Sequence, residues 1–262
     1  MEKADQRTKF LQELSKGFKR AANYDAAQKK WIVDETVKLG ILEIFKTSAV
    51  VNVPNNWPFR DKDVLISSAN NSNWELQRIV PGGTSIRPGV YLGENVIIMP
   101  PSFVNIGAYV GSGTMIDSHV LVGSCAQIGS NVHLSAKVMI GGVLEPANSR
   151  PVIVEDEAFI GANCSLAEGV LVKKNAILGM GVQLGSSIPV YDLVNDRQIS
   201  FEEGIPENAV VISGTRSLAN KSNYASVKGL SSLCALIIKY SAEKNAKIRL
   251  EEALREFGEG HE

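Results

Sequence analysis

The side chains best suited to acid–base, nucleophilic or metal chemistry are few in this sequence and widely separated. They are His119, His133, His261, Cys125, Cys164 and Cys234. No CxxC pair or zinc-type spacing occurs, and no glycine-rich phosphate loop stands between a strand and a helix. We therefore expect reduced thiols and no metal site, and any reactive group has to be identified from the elements that position it.

Composition and charge exclude several classes of protein. The 262 residues contain 27 Lys and Arg against 28 Asp and Glu, a net charge of −1, which rules out a whole-protein electrostatic grip on nucleic acid. A local basic patch for a phosphorylated ligand stays open. No apolar run has the length of a membrane span, and the charged start of the chain does not have the pattern of a signal peptide. We expect a cytoplasmic protein.

The middle of the chain contains a six-residue repeat. Every sixth residue is aliphatic, a small or β-branched residue usually stands two positions before it, and glycine often follows it. The seventeen anchors are Ile86, Leu92, Ile98, Val104, Val110, Ile116, Val122, Ile128, Leu134, Ile140, Val154, Ile160, Leu166, Val172, Leu178, Leu184 and Val190. A period of six suits short strands separated by turns, with the anchors facing inward. We expect the following glycines to supply backbone freedom at the corners.

Stacking such coils predicts a mainly β fold, a parallel β-helix with caps at its ends. The predicted divisions are a helical or mixed N-terminal domain at 1–80, the β-helix at 81–204, and C-terminal strands and a helix at 205–262. Four-residue apolar spacing, as in Phe10, Leu14 and Phe18, predicts helix up to about residue 47, with Gly40 as a helix stop. The last division has strand-like runs at 209–212 and 233–238 and a helix near 242–257.

The repeat is interrupted once, between Ile140 and Val154. These anchors are fourteen residues apart where twelve would keep the phase, so residues 141–151 are expected to protrude as a loop. Loops inserted into solenoids often build the binding face, although a surface loop without a role is the alternative.

Several strings in this region are more specific than the hexad. They are FVNIGAYV at 103–110, VGSCAQIG at 122–129, NVHLS at 131–135, IGGVLEP at 140–146 and LGMGV at 178–182. On these strings, residues 76–215 resemble the tetrahydrodipicolinate N-succinyltransferases of bacterial lysine biosynthesis, a family of hexapeptide-repeat acyltransferases. The resemblance implies a left-handed coil with three hexads per turn. It also implies transfer of a succinyl group from succinyl-CoA to the amine of tetrahydrodipicolinate, in its open-chain 2-amino-6-oxopimelate form, in the lysine/diaminopimelate pathway.

The resemblance further implies how the acceptor is held. Arg78 and Asp117 stand at the positions of a family arginine and a family aspartate that bind it. A guanidinium can take a carboxylate with two hydrogen bonds, and a carboxylate can orient an attacking amine or accept its proton. Because Asp117 follows an inward anchor, its side chain is expected to point outward. The alternatives are a polar corner residue for Asp117 and a surface ion pair for Arg78.

One string departs from the family pattern. Family members carry Arg-Ser-Glu after the Ile-Gly-Ala of a later coil, whereas this chain has Asn163 and Ser165 in place of the arginine and the glutamate. Glu168 matches a second family glutamate. Asp117 and Glu168 are therefore the two candidates for catalytic proton transfer. The change leaves open which acceptor and which acyl group the chain uses.

The histidines and Cys164 are weaker candidates. His119 and His133 each lie next to an inward position, so both are expected to point out of the coil in structural or solvent-facing roles. His119 is a minor alternative base because it neighbours Asp117. Cys164 occupies an inward position and is expected to pack in the core rather than act as a nucleophile.

The same resemblance implies the remaining contacts. The acceptor side would include Gly141, Gly142 and Ser165, and the CoA side would include Gly179 and Gly181. The phosphate end of CoA needs cations, and Arg216 and Lys221, just past the last strand of the coil region, are the local candidates. We expect a homotrimer with active sites between subunits, acyl-CoA as co-substrate, and no permanently bound cofactor. Two alternatives stay open: a paralogous N-acyltransferase that uses acetyl-CoA or a different amino-dicarboxylate acceptor in a specialised biosynthesis, and a non-catalytic β-helix scaffold.

Overall fold

The computed structural model describes residues 2–54, 58–68 and 75–241. The part before the repeat combines helices with two small antiparallel sheets, β1 with β2 and β3 with β4. Its elements are α1 (Glu2–Ser15), β1 (Ala22–Asp25), β2 (Lys30–Val33), α2 (Glu35–Thr47), β3 (Val50–Asn52), β4 (Arg60–Lys62) and α3 (Asp63–Ser68). Leu11 of α1 and Ile41 of α2 share one buried cluster with Ile106 of the coil, so the helices are docked on the β-helix.

The prediction of helix up to residue 47 is wrong between α1 and α2, where residues 22–33 form the β1–β2 hairpin. Contacts with the distant coil stabilise this hairpin, and a local pattern does not report them. Phe18 lies beyond α1 and is 78% exposed, so it is not part of an apolar helix face. Gly40 does not stop a helix but lies inside α2, where an added Cβ would be 2.6 Å from the ring of Phe10. Glycine at position 40 permits close packing.

Seventeen two-residue strands in the described chain form three parallel sheets, the faces of a prism. The Tyr109 face consists of β7 (Tyr91–Leu92), β10 (Tyr109–Val110), β13 (Gln127–Ile128), β16 (Ile153–Val154) and β19 (Leu171–Val172). The His133 face consists of β5 (Arg78–Ile79), β8 (Ile97–Ile98), β11 (Met115–Ile116), β14 (His133–Leu134), β17 (Phe159–Ile160) and β20 (Ile177–Leu178). The Met139 face consists of β6 (Ser85–Ile86), β9 (Phe103–Val104), β12 (Leu121–Val122), β15 (Met139–Ile140), β18 (Ser165–Leu166) and β21 (Gln183–Leu184). The predicted mainly β, parallel β-helix fold is confirmed, and the arrangement is consistent with the left-handed coil.

The anchors form a continuous aliphatic core. Val110 and Ile128 are fully buried, and burial of each such side chain is worth about 1.5–3 kcal/mol. The glycines after the anchors serve a purpose other than the predicted one. A Cβ at Gly111 would lie 2.5 Å from the carbonyl carbon of Gly129, so glycine there allows successive coils to approach. The left-handed corner conformation comes two residues later, as at Gly113 with φ of 72°.

The interruption of the repeat is longer than predicted. β13 pairs with β16 so that Ile128 lies beside Val154, which makes Val154 the next anchor after Ile140. Anchors are otherwise six residues apart and these are fourteen apart, so the insertion adds eight residues to one coil instead of two. The loop leaves the coil after β15, at the edge between the Met139 face and the Tyr109 face.

A mixed segment follows the last coil. It contains β22 (Val190–Asp192), β23 (Arg197–Ile199), β24 (Ala209–Ser217), α4 (Asn223–Val227) and β25 (Ser231–Tyr240). The two predicted strand runs are confirmed within β24 and β25, which pair antiparallel. Val190 is in β22, which pairs antiparallel with β23 rather than continuing the coil. The predicted helix at 242–257 and His261 lie outside the described residues. No helix in the described ranges is long and apolar enough to cross a membrane.

Candidate functional site

Arg78 and Asp117 lie on the same side of the molecule. Arg78 is an exposed residue of β5, and Asp117 directly follows β11, two strands along the His133 face. Neighbouring strands are about 4.8 Å apart, so the two backbones are separated by roughly 10 Å along the coil. Asp117 marks the edge between the His133 face and the Met139 face, named here the Asp117 edge. A small dicarboxylate could contact both side chains.

The carboxylate of Asp117 has one oxygen engaged and one available. Asp117 is half-buried directly after the fully buried Ile116. Its Oδ1 accepts a hydrogen bond from the backbone N–H of Ser118 at 2.7 Å, and its main-chain carbonyl accepts one from the hydroxyl of Ser102 at 2.9 Å. Within the described residues, Oδ2 accepts no hydrogen bond. The side chain is therefore oriented but keeps an acceptor for a ligand amine.

A histidine lies one coil beyond this carboxylate. His133 of β14 pairs with Met115 of β11, and its ring stacks on Phe159 with centroids 4.9 Å apart and planes 6° apart. Burial lowers the pKa of His133, and the charge of Asp117 opposes that shift. The neutral imidazole could accept a proton, a property that its outward position in the repeat did not indicate. His119 is exposed at the corner, as predicted, with φ of 63°.

Glu168 lies on another edge, the one between the Met139 face and the Tyr109 face. Its Oε2 accepts hydrogen bonds from both the backbone N–H and the hydroxyl of Ser186, at 2.7 and 2.6 Å. These bonds lower the pKa of Glu168, which makes it a weaker base. Ser165 is half-exposed on β18 of the Met139 face. Participation of Glu168 in proton transfer stays a prediction.

The start of the loop offers a backbone donor on that same edge, named here the Gly142 edge. The N–H of Gly141 donates to the carbonyl of Leu166 at 2.7 Å, which continues the coil. Gly142 is exposed, and its N–H donates no hydrogen bond within the described chain. A Cβ at Gly123 would lie 2.2 Å from the nitrogen of Gly142, so loop and coil are in backbone contact. The Gly142 amide could bind a carboxylate or carbonyl oxygen.

Two cations that sequence reasoning missed hold the loop. Lys38 of α2 is fully buried, and its ammonium donates a hydrogen bond to the carbonyl of Ser149. Burial lowers the pKa of Lys38. Arg150 donates from Nε to the carbonyl of Gly169 at 2.7 Å and from Nη2 to the carbonyl of Phe201 at 2.9 Å. The sequence signal for Lys38 is its spacing: it stands three residues before Ile41, so the two side chains share the buried side of α2.

Gly179 and Gly181 lie on the Asp117 edge, with Gly179 three coils from Asp117. The N–H of Gly179 donates to the carbonyl of Val211 at 2.8 Å, and that of Gly181 donates to the carbonyl of Ala162 at 2.9 Å. Both amide hydrogens are therefore used within the fold. The carbonyl of Gly179 accepts a hydrogen bond from Cys164. The predicted contacts of these glycines with CoA would therefore have to use the carbonyl of Gly181.

Cys164 and Asn163 have structural explanations. Cys164 is fully buried, its thiol donates to the carbonyl of Gly179 at 3.1 Å, and burial raises the pKa of the thiol to about 11. Its predicted core role is confirmed. Asn163 has φ of 59°, a left-handed conformation that asparagine adopts more readily than most residues. Asparagine in place of the family arginine therefore suits this corner.

Arg216 and Lys221 extend beyond the coil. β24 runs parallel to β20 with Val211 beside Leu178, and Arg216 is five residues further, roughly 17 Å of strand past the pairing. The strand direction carries Arg216 past the Asp117 edge. Arg216 donates from Nε to the hydroxyl of Ser232 at 3.1 Å, and Lys221 is exposed in the following turn.

The candidate residues thus form two sets on two edges of one protomer. At the Asp117 edge lie Asp117, Gly179 and Gly181, with Arg78 on the adjoining His133 face and Arg216 and Lys221 beyond the edge. Gly141, Gly142 and Glu168 lie along the Gly142 edge, and Ser165 lies on the Met139 face between the two edges. A face about six residues wide separates the edges, roughly 20 Å if extended. The described residues contain no cluster of three or more His, Cys, Asp or Glu that could hold a metal ion.

The sequence is similar to one family model and to several named enzymes. Residues 151–186 match the family model described as the hexapeptide repeat of succinyl-transferase. The chain is 40% identical over 254 residues to the 2,3,4,5-tetrahydropyridine-2,6-dicarboxylate N-succinyltransferase of Herminiimonas arsenicoxydans, covering 94% of this chain and 87% of that protein. Similar proteins of the same name occur in Nitrobacter winogradskyi, at 39% identity with 93% and 86% coverage, and in Wolbachia pipientis wMel, at 41% identity with 87% and 80% coverage.

Proposed function

Because the chain belongs to the family of 2,3,4,5-tetrahydropyridine-2,6-dicarboxylate N-succinyltransferases, we propose that it transfers succinyl from succinyl-CoA to tetrahydrodipicolinate in the cytoplasm. The acceptor reacts in its open-chain 2-amino-6-oxopimelate form, in which addition of water to the cyclic imine has freed the amine. The observation that carries the proposal is the placement of Arg78 and Asp117 on one side of the coil, two strands apart. A cation for a carboxylate beside an available carboxylate for an amine matches an amino-dicarboxylate acceptor.

The proposed reaction uses Asp117 as the proton acceptor. Arg78 binds a carboxylate of the acceptor and places the amine at the Asp117 edge. Oδ2 of Asp117 takes a proton from the amine as its nitrogen attacks the thioester carbonyl carbon. The C–N bond forms, the C–S bond breaks, and the proton passes from Asp117 to the departing sulfur of CoA. Glu168 is kept as the second, weaker candidate for this proton transfer.

CoA is proposed to lie along the Asp117 edge toward the β24–β25 hairpin. Arg216 has an engaged Nε, and its Nη1 is 3.3 Å from the hydroxyl of Tyr191, so the guanidinium is oriented while Nη2 stays available within the described chain. Lys221 is exposed nearby. Two cations at the end of a projecting hairpin suit the phosphates of the adenosine end of CoA.

We propose that the functional unit is a homotrimer. The β1–β2 hairpin covers part of the Tyr109 face, whereas the other two faces carry half-exposed apolar rows. These rows consist of Ile97, Met115 and Phe159 on one face and Phe103, Leu121 and Met139 on the other. Burying these rows between copies about a three-fold axis would be favourable. We propose further that the copies are offset, so that the Asp117 edge of one copy lies beside the loop that begins at Gly142 of another, a contact that one protomer does not make.

A subunit-mixing experiment tests this shared site. Asp117→Asn should inactivate the Asp117 edge, and Gly142→Pro should remove the backbone donor on the other edge. When the two inactive proteins are dissociated and reassociated in equal amounts, random pairing should restore activity to roughly a quarter of wild type. No recovery would place both edges of each site in one copy. The mass of each variant in solution provides the control for assembly.

A second candidate function is an N-acyltransferase paralogue that uses acetyl-CoA or another amino-dicarboxylate. Ser165, in place of the family glutamate, favours this candidate because the position loses a charge that could contact the substrate. A scaffold without activity is less well supported, since it has no need for the available oxygen of Asp117. Release of CoA thiol should be measured with succinyl-CoA and acetyl-CoA, with and without tetrahydrodipicolinate. Acceptor-dependent release with succinyl-CoA supports the main proposal. Preference for acetyl-CoA, or release only when another amino-dicarboxylate replaces tetrahydrodipicolinate, supports the paralogue. No release with any of these acceptors supports the scaffold.

A further inference from the structure

A cavity of about 440 Å³ lies on the third edge of the prism, between the Tyr109 face and the His133 face. The β1–β2 hairpin supplies Tyr24 and Trp31 to its wall, and corners of successive coils supply residues such as Ser130 and Asp156. Its volume is within the usual range of small-molecule sites. The cavity is separate from the Asp117 and Gly142 edges.

Arg20 is held rigidly in this cavity. Its Nε donates to the side-chain oxygen of Gln127 at 3.0 Å, and the buried amide of Gln127 is itself fixed by donation to the carbonyl of Cys125 at 2.9 Å. The guanidinium carbon lies 3.5 Å from the ring centre of Tyr109, which stacks on Tyr91 at 4.4 Å. A stacked guanidinium with one fixed nitrogen loses little further entropy when it binds a ligand.

The terminal amino groups of Arg20 make no hydrogen bond or ion pair in the part of the chain that the structure describes. Burial lowers the pKa of Arg20, and the charge of Asp156 is among the effects that oppose the shift. The guanidinium therefore gives up hydration without gaining an ionic partner. Its unpaired N–H groups have the planar geometry that binds a carboxylate with two hydrogen bonds.

Other parts of the cavity suit an apolar group and a cation. Tyr24 and Trp31 meet edge to face with ring centres 5.7 Å apart and offer apolar surface. Glu207 also lines the cavity, is exposed, and has no hydrogen bond or ion pair among the described residues. Asp156 uses Oδ1 for the N–H of Ser130 at 2.7 Å and has a second oxygen. Negative and aromatic groups thus accompany the cationic Arg20.

We propose that this cavity binds a small aliphatic α-amino acid, with its carboxylate on Arg20 and its ammonium near Glu207. The apolar side chain would pack on the rings of the hairpin. A phosphate-bearing ligand fits less well, because Glu155, Asp156 and Glu207 line the cavity against a single lysine, Lys174. This site does not depend on the proposed transferase activity.

Calorimetric titration of the full-length protein tests the site with three related probes. L-Norleucine has both charges, hexanoate keeps only the carboxylate, and pentylamine keeps only the ammonium. We expect norleucine to bind, and each single-charge probe to bind about tenfold or more weakly. Arg20→Gln should weaken norleucine about tenfold to a hundredfold, the effect of one charge-assisted carboxylate bond. Glu207→Gln should weaken norleucine but leave hexanoate unchanged.

Arg60→Gln is the matched control, because Arg60 is exposed and outside the cavity lining. It should bind norleucine like wild type. The melting temperature of each variant shows whether it is folded, and the exposed Glu207 gives a second test if Arg20→Gln is unstable. Three results would overturn the proposal: no norleucine binding at millimolar concentration, equal binding by Arg20→Gln, or hexanoate binding as tightly as norleucine.

Discussion

Asp117→Asn separates the charge of Asp117 from its structural contacts. The amide oxygen of asparagine can keep the hydrogen bond from the N–H of Ser118, now 2.7 Å from Oδ1. The hydrogen bond from Ser102 goes to the main chain and is unaffected. The substitution therefore replaces the available acceptor Oδ2 with an amino group and changes little else.

The size of the effect follows from the role of that oxygen. Removing a general base typically costs about a hundredfold to ten-thousandfold in kcat. This corresponds to about 3–5 kcal/mol of transition-state stabilisation. The free energy of unfolding should change by less than about 0.5 kcal/mol, because both hydrogen bonds around Asp117 can be kept. We therefore expect loss of turnover without loss of stability.

The assay is steady-state thiol release with succinyl-CoA and tetrahydrodipicolinate, together with a thermal melt. Asp196→Asn is the matched control, because Asp196 is an exposed aspartate in the β22–β23 turn with a left-handed backbone that asparagine accepts. It should leave turnover unchanged. Turnover of Asp117→Asn within twofold of wild type would remove Asp117 from the mechanism, and a parallel loss of stability would indicate a structural role.

Three further substitutions test Arg78, Glu168 and His133. Arg78→Ala should raise the KM for the acceptor about tenfold to a hundredfold and leave that for succinyl-CoA nearly unchanged, since one charge-assisted carboxylate bond is lost; equal effects on both substrates would refute acceptor binding. Glu168→Gln should reduce kcat much less than Asp117→Asn, because Ser186 already engages Glu168 and lowers its pKa; an equal loss would make Glu168 a partner in proton transfer. Burial lowers the folded-state pKa of His133, so protonation disfavours the folded protein, and the free energy of unfolding should fall as pH decreases from about 6.5 through that lowered pKa. In His133→Gln this part of the pH dependence should be absent from melts at a series of pH values, and identical curves for both proteins would contradict the environment described for His133.

The coil could be predicted because its information is local and repeated. Each hexad needs an aliphatic residue facing inward, and Val110 and Ile128 meet the same environment in successive coils. The position of Asp117 directly after an inward anchor likewise predicted that its side chain lies outside the core. The repeat did not show why glycine follows the anchors, because the close approach of Gly111 to Gly129 depends on the spacing between coils.

The N-terminal region could not be predicted from its own pattern. Trp31 of the β1–β2 hairpin donates a hydrogen bond to Glu155 at 2.8 Å, across 124 positions of sequence. The burial of Lys38 likewise depends on the carbonyl of Ser149 in a distant loop. Such tertiary contacts override local propensity, and they also build the cavity in which Arg20 lies.

The hydrogen bonds from Ser186 to Glu168 could not be predicted from the sequence either. A carboxylate on a coil that lacks the family glutamate suggests a replacement base, but the stacking register places Ser186 beneath it. Asp117 is thereby the better candidate for the proton acceptor, and the identity of the acyl group becomes the main question about the active site.

The most direct test of the proposed succinyl transfer is a competition experiment with wild-type protein. Equal concentrations of succinyl-CoA and acetyl-CoA are supplied with limiting tetrahydrodipicolinate, and the mass of the acylated product is measured. We expect the product to carry predominantly a succinyl group. A predominantly acetylated product, or an unmodified acceptor, would contradict the assignment of this chain as a succinyltransferase.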